Sequence, residues 1–293
     1  MNNRLMYWTG GKLRVAYIIA SLIPEEAEAY YEPFIGSGAV LINKYRHPLE
    51  VINDKDKNLA TLHQVIADRH KGKQLMEKLF RQGSQKRDFL EAKNLLKYNA
   101  GNLDDVERAR CEFVKISLSF NGLGGTYHTV NQWQFTKDVH YQLPIIYERY
   151  QGVRVHCGCG IAMTQKVVGN KKAFVFLDPP YVHTLRGNTS IYQCEMPLPL
   201  QRKMLEVIKS AECKIMLCGY VNKKGKNLYD NELLPYGWKR YKLAELVQSC
   251  QYKKGESKDV GEEYIWVNYE LPPFAKYYIS LSSEVSRNEY NNM

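Results

Sequence analysis

With 293 residues the chain can bury a substantial core, either as one large domain or as a core carrying an inserted domain. Its 41 lysines and arginines outnumber 31 acidic residues, and the formal net charge of +10 points to a polyanionic partner. Seven cysteines at irregular spacing and no recognisable leader lead us to expect a reducing, intracellular and cytoplasmic location; the longest early apolar run, Val15 to Ile23, is too short to span a bilayer.

Trp8-Thr9-Gly10-Gly11-Lys12 comes first, ahead of a helical stretch from Leu13 to Leu22 that Pro24 closes. Paired glycines before a helix let backbone N–H groups and Lys12 approach an anionic group, with Trp8 placed to cover a ring. Alone, this segment reads more readily as a plain turn. Tyr30 to Val40 reads as a strand, a glycine turn at Pro33, Phe34, Gly36, Ser37 and Gly38, and the start of a helix running toward Tyr45. Val51 to Asp54 is a second strand ending in an acid, where a first βαβ unit presents a carboxylate to ribose hydroxyls. Asp54 could instead cap the next helix. Turn and acid in this order point to an adenosine-containing cofactor.

From Lys57 to about Gln151 the chain becomes basic and helical, with Arg69, Lys71, Lys78, Arg81, Lys93 and Arg108 and an amphipathic stretch from Val106 to Phe120. A glycine-rich loop follows, in which Asn121, Gly122, Leu123, Gly124, Thr126, Tyr127 and His128 can hydrogen-bond or stack. We read residues 58–151 as an inserted, mainly helical recognition domain whose cations contact phosphates while a few polar residues read bases. It separates a cofactor-binding part, 1–57, from a catalytic part, 152–293. A solvated helical cap is the alternative.

Val153 to Gly160 resumes the strand pattern; Cys157 and Cys159 beside His156 lack a second ligand pair for a metal, and we expect a buried strand edge. Val175 to Leu177 then forms a buried strand that stops at Asp178-Pro179-Pro180-Tyr181, because proline cannot donate to a ladder. An exocyclic amine is a poor nucleophile whose lone pair is delocalised into its ring. The Asp178 carboxylate can accept one N–H and the Pro179 carbonyl the other, favouring a tetrahedral nitrogen, and Tyr181 offers a stacking face. A Pro-rich turn with a capping Asp is the alternative. Val182 to Pro199 is a polar loop with His183, Arg186, Asn188 and Tyr192, and Gln201 to Ser210 is helical. Lys214 to Tyr220 is another buried strand whose end lies beside Asp178 if the sheet is parallel. Basic loops at Lys223 and Lys253 suit a phosphate backbone or a solvated turn, and Glu263 to Tyr269 reads as a closing strand.

Trp8 to Lys12, Pro33 to Gly38, Asp54, Asn121-Gly122-Leu123, Asp178 to Tyr181 and Trp266-Val267-Asn268-Tyr269, in this order, resemble the Dam-type DNA adenine-N6 methyltransferases over nearly the whole chain. The resemblance implies an α/β fold with a Rossmann-like, seven-stranded, mostly parallel sheet bearing one antiparallel strand. It also implies S-adenosyl-L-methionine as methyl donor, bound by residues matching Trp8, Lys12, Asp54 and Asp178, with the turn from Phe34 to Gly38 receiving its methionine part. Asp178, Pro179, Pro180 and Tyr181 would act on an adenine flipped out of the duplex. Gly124-Gly125-Thr126-Tyr127 stands where enzymes acting on GATC usually carry a Cys-Arg-Tyr-Asn-like run, so a GATC-like target is only the family's familiar one.

The expected reaction is site-specific methyl transfer to N6 of adenine in double-stranded DNA by direct displacement, with no metal, no membrane, and a monomer or weak dimer. Transfer to RNA or to a protein glutamine is the first rival; the Asn-led tetrapeptide is commoner on glutamine-modifying enzymes, which disfavours it. A catalytically silent DNA-binding protein is the second, for which a broken tetrapeptide or glycine turn is expected.

Overall fold

Short β-forming runs alternate with amphipathic stretches along this chain, and in a computed structural model, which describes residues 3–180, 196–221, 228–247, 260–275 and 279, that alternation becomes an α/β fold with a seven-stranded sheet. In chain order the elements are α1 (Ala16–Ser21), β1 (Ala29–Glu32), α2 (Ala39–Asn43), β2 (Leu49–Asp54), α3 (Lys57–Ala67), α4 (Arg69–Phe80), α5 (Lys86–Tyr98), α6 (Asp105–Ser117), α7 (Asn131–Lys137) and α8 (Leu143–Tyr150). They continue with β3 (Arg154–Cys157), α9 (Gly160–Val167), β4 (Ala173–Leu177), α10 (Leu198–Ile208), β5 (Lys214–Tyr220), α11 (Leu228–Leu233), β6 (Lys239–Val247) and β7 (Val260–Val267). The chain divides into two compact units: Met1–Tyr17, Ile35–Tyr45 and Glu50–Gly158 in the first, Ile18–Phe34, Arg46–Leu49 and Cys159–Met293 in the second. Among the described residues no helix is long and apolar enough to cross a membrane.

In the first unit β2 and β3 pair in parallel, with Asp54 level with Cys157. The helices start where side chains satisfy their first N–H groups: Asp56 caps α3, Asp68 caps α4 and Asp104 caps α6, while Gln85 and Asp88 form a capping box on α5. Helix α6 is buried along most of its length, and Phe113, Val114 and Ala109 are fully enclosed. Burying such side chains contributes roughly 1.5–3 kcal/mol for each large one, so packing rather than helix propensity holds these helices. Two cations that the sequence offers to phosphates are paired within the unit, Lys71 with Asp105 at 2.6 Å and Lys78 with Glu107 at 3.1 Å, and Lys115 pairs with Glu112 at 2.7 Å. Arg108 is buried and donates to Asn58 Oδ1 at 2.8 Å.

The second unit holds five strands in the order β1-β4-β5-β7-β6. Strands β1, β4 and β5 run parallel, Leu177 facing Leu217, and β7 is antiparallel to both β5 and β6. All of β4 is buried, the continuous apolar run of a strand covered on both faces. Its core gathers Val175, Leu177, Met204, Leu205, Ile215, Leu217, Trp238 and Trp266. Asn268, just past β7, accepts from Ile215 N at 2.7 Å and donates to Cys213 O at 2.9 Å, which pins the start of β5.

Two local expectations are corrected. The helix anticipated from Leu13 to Leu22 is a 3-10 turn over Lys12–Arg14 followed by the shorter α1. Cys157 and Cys159, expected in a buried strand edge, are exposed. The reason is that β3 is the edge strand of the sheet, where Arg154, His156 and Cys157 are all exposed.

Candidate active site

In the first unit the site is built around the end of β2. Ile35 N donates to Asn53 O at 2.9 Å and Gly36 N to Asp54 Oδ2 at 3.2 Å, so the glycine turn lies against the strand end. Asp54 also accepts from Asp56 N at 2.9 Å through Oδ1. The capping role left open for Asp54 belongs to Asp56, whose carboxylate accepts from Asn58 N and Leu59 N. Burial pushes the Asp54 carboxyl up to about 6, against the backbone N–H groups of Asp56 and Gly36, which favour its charged form.

The turn demands glycine. Gly36 and Gly38 have φ of +51° and +71°, and a Cβ on Gly38 would lie 2.6 Å from the Tyr150 hydroxyl. Beneath the turn, His63 is fully buried; its Nε2 lies 2.8 Å from Gly36 O and its Nδ1 2.9 Å from Tyr150 Oη. Since a carbonyl can only accept, Nε2 carries the proton and Nδ1 accepts from the tyrosine hydroxyl in the neutral ring. Burial keeps the ring neutral, lowering its pKa to about 4. Ser37 is buried. Trp8 lies over the turn, its Nε1 3.2 Å from where a Cβ on Gly36 would sit. Lys12 is buried, with Nζ donating to Gly10 O at 3.2 Å.

The loop read as a DNA contact meets the Trp8 segment in the same unit. Asn121 has φ of +54°, the one positive φ among described non-glycine residues, and its carbonyl accepts from the Thr9 hydroxyl. Gly122 is buried, and a Cβ there would overlap the Tyr7 carbonyl. Gly124 N donates to Ser119 Oγ at 2.8 Å, the Tyr127 hydroxyl donates to Ser84 O at 2.9 Å, and the His128 ring meets Phe120 edge-on at 5.2 Å. Leu123 and Thr126 are exposed.

In the second unit Asp178, Pro179 and Pro180 continue directly from β4; Asp178 and Pro180 are half-buried and Pro179 is buried. Tyr181, His183, Arg186, Asn188, Tyr192, Lys223 and Lys253 lie outside the described residues. Strand β1 ends at the same edge: Tyr31 is level with Val175, so Glu32, Pro33 and Phe34 leave the sheet near the carboxyl end of β4. The parallel β5 places Gly219 and Tyr220 past that end, as the sequence anticipates. Glu32 is a further candidate, buried and accepting from the Tyr30 hydroxyl at 2.6 Å. Its signal was an acid closing a strand just before Pro33. His63 and Tyr150, 87 positions apart, had no local signal. Among the described residues no group of three or more His, Cys, Asp or Glu is placed to hold a metal.

The family described as D12 class N6 adenine-specific DNA methyltransferase matches residues 8–243. The chain is 24% identical over 206 residues to the type II methyltransferase M.MjaIII of Methanocaldococcus jannaschii, covering 59% of this chain and 67% of that protein. It is 27% identical over 198 residues to the type II methyltransferase M1.LlaDCHI of Lactococcus lactis subsp. cremoris, covering 60% of this chain and 64% of the relative. A DNA adenine methylase of Haemophilus influenzae is 22% identical over 268 residues, 86% of this chain and 90% of the relative. The match thus spans about two thirds of the two type II relatives and most of the third, and the chain belongs to the D12 class N6 adenine-specific DNA methyltransferase family.

Proposed function

We propose that this chain transfers a methyl group from S-adenosyl-L-methionine to N6 of an adenine flipped out of duplex DNA, at a specific sequence. The observation that carries the reading is that the sequence Asp178-Pro179-Pro180-Tyr181 is unbroken and that its first three residues leave the carboxyl end of the buried, parallel strand β4. Ligands of open α/β sheets sit beyond the carboxyl ends of strands, so the run stands where a substrate would be met.

Residues of the first unit suit the donor. An acid at the end of β2, desolvated and holding the glycine turn, is an acceptor for ribose hydroxyls. Trp8, Lys12, Gly36, Ser37, Gly38 and Asp54 of the first unit, and Pro33, Phe34 and Asp178 of the second, are the residues assigned to the donor in this reading. When bound, the donor supplies an electrophilic methyl on a sulfonium. The rest falls to the chain: the Asp178 carboxylate accepts one N–H of the adenine amine, the Pro179 carbonyl accepts the other, and the nitrogen lone pair is turned toward the methyl. Tyr181 stacks on the base, which must leave the helix because its amine is out of reach inside the stack. Much of the acceleration comes from orientation.

Recognition is assigned to the insert 58–151 through Asn121, Gly122, Leu123, Gly124, Thr126, Tyr127 and His128, with Lys223 and Lys253 on the phosphate backbone. A GATC-like site is the first target to try. The working form is a monomer or weak dimer.

The test is labelled-methyl incorporation into duplex DNA, RNA and protein side by side, with Asp178→Ala as control. Uptake into DNA alone, lost in Asp178→Ala while DNA binding persists, supports the reading. Uptake into RNA or protein instead, or an active Asp178→Ala chain, defeats it.

A further inference from the structure

Two consecutive prolines fix φ at positions 179 and 180, so the soft torsions left in the segment are the two ψ angles. The ψ of Pro180 sets where its carbonyl points and the direction in which the chain departs toward Tyr181. A side chain holds that carbonyl. Gln201, on α10, is completely buried and its Nε2 donates to Pro180 O at 2.7 Å. Its Oε1 accepts from the Tyr229 hydroxyl at 2.8 Å, which orients the amide with its NH2 toward the proline. Tyr229 in turn meets the Trp266 ring edge-on at 5.1 Å, and Trp266 Nε1 donates to Asp230 Oδ1 at 2.8 Å. Arg240 closes the line by donating to the other oxygen of Asp230.

We infer that Gln201 is a positioning residue for methyl transfer, setting the Pro180 carbonyl and with it the geometry of the Asp178-Pro179-Pro180 run, while Tyr229 keeps its amide in the working orientation. The inference rests on the reading that this run is catalytic. A buried glutamine is costly to desolvate, and here its oxygen is held by Tyr229 while its amide N–H is spent on one peptide of the run. A methionine there would fill the volume but leave the carbonyl free to swing, and a displacement of about 1 Å near the reacting atoms can cost on the order of 100-fold in rate.

The test is steady-state methylation of duplex DNA by Gln201→Met, Gln201→Glu and Tyr229→Phe, with Asp178→Ala alongside. Gln201→Met should lose roughly 10- to 100-fold in kcat, with KM for cofactor and DNA nearly unchanged. Gln201→Glu supplies a readout that mere packing would not move. Its protonated acid can donate to Pro180 O and accept from Tyr229, whereas its carboxylate has no donor, so its kcat relative to the parent chain should fall as pH rises. Tyr229→Phe should give a smaller kcat loss, and it carries the test if Gln201→Met does not fold. Parent-like kcat in a folded Gln201→Met chain, or in Tyr229→Phe should the former not fold, overturns the assignment, as does a Gln201→Glu ratio indifferent to pH. If Asp178→Ala is inactive in the same series, only the role of Gln201 has failed; if Asp178→Ala is active, the catalytic reading has failed with it.

Discussion

The backbone N–H of Gly36 donates to Oδ2 of Asp54 across 3.2 Å, so one carboxylate ties the glycine turn to the end of β2. Burial has raised its pKa to about 6. Hydroxyl groups of a bound ribose need the charged form as acceptor, so cofactor affinity should rise as pH climbs through that value and level off above it. Replacing Asp54 by Asn should flatten the pH dependence and weaken binding by roughly 1.5–3 kcal/mol, the range for a hydrogen bond to a charged group. Calorimetric titrations on both sides of that pKa check this; a pH-independent affinity in the parent chain removes Asp54 from the ribose.

Asp56 lets capping be told apart from the cofactor role proposed for Asp54. Its carboxylate takes Asn58 N at 2.9 Å and Leu59 N at 3.4 Å. Asp56→Ala should cost about 1 kcal/mol of stability through the lost cap, with cofactor affinity little changed. Denaturant unfolding paired with calorimetry reads both effects; a large loss of affinity would mean that the two acids act as one.

His63 makes folding sensitive to acid. The unfolded chain takes up a proton near 6.5 that the folded ring accepts only near 4, so in that window the unfolded state binds more protons and stability falls as pH falls. Asp54 has the opposite sign: its folded carboxyl, at about 6 against 3.8, binds more protons than the unfolded one, and stability falls as pH rises through that window. His63→Gln should therefore leave the opposing Asp54 contribution, so that the variant gains stability relative to the parent as pH falls through this window, even if less stable at neutral pH. Thermal unfolding followed across this range decides it, and a variant with the parent's pH slope would show that His63 is not the group responsible.

Gly122 packs where no side chain fits, with φ of +66° and its Cβ position overlapping the Tyr7 carbonyl. Gly122→Ala should destabilise the chain by roughly 1–3 kcal/mol and, by moving the segment that carries Trp8, weaken cofactor binding. Gly125→Ala is the control, since nothing lies within 4 Å of its Cβ position. Equal stability of the two variants would contradict the packing argument.

Strand and turn chemistry made much of this fold legible before any coordinates. The apolar run that stops at Asp178-Pro179-Pro180 and the sequence from Tyr30 through Gly38 to Asp54 each depend on neighbours in the chain, so local rules place them. Misreadings arose where neighbours in space decide. Cys157 looked apolar enough to bury, yet β3 is an edge strand and leaves it exposed. Which acids pair with Lys71 and Lys78 was likewise not written locally, since Asp105 and Glu107 lie on another helix.

By itself, then, the sequence determined the order of strands and turns, the acid and proline run at the strand ends, and the family to which they belong, because those features are written in consecutive residues. Only the tertiary structure decided that Asp56 rather than Asp54 caps α3, that His63 and Tyr150 brace the glycine turn, and that Gln201 holds Pro180. Each of those assignments depends on which buried donor finds which acceptor. That pairing is favoured by burial, since an unmatched polar group inside the fold costs roughly 1–3 kcal/mol, and it joins residues that the chain holds far apart.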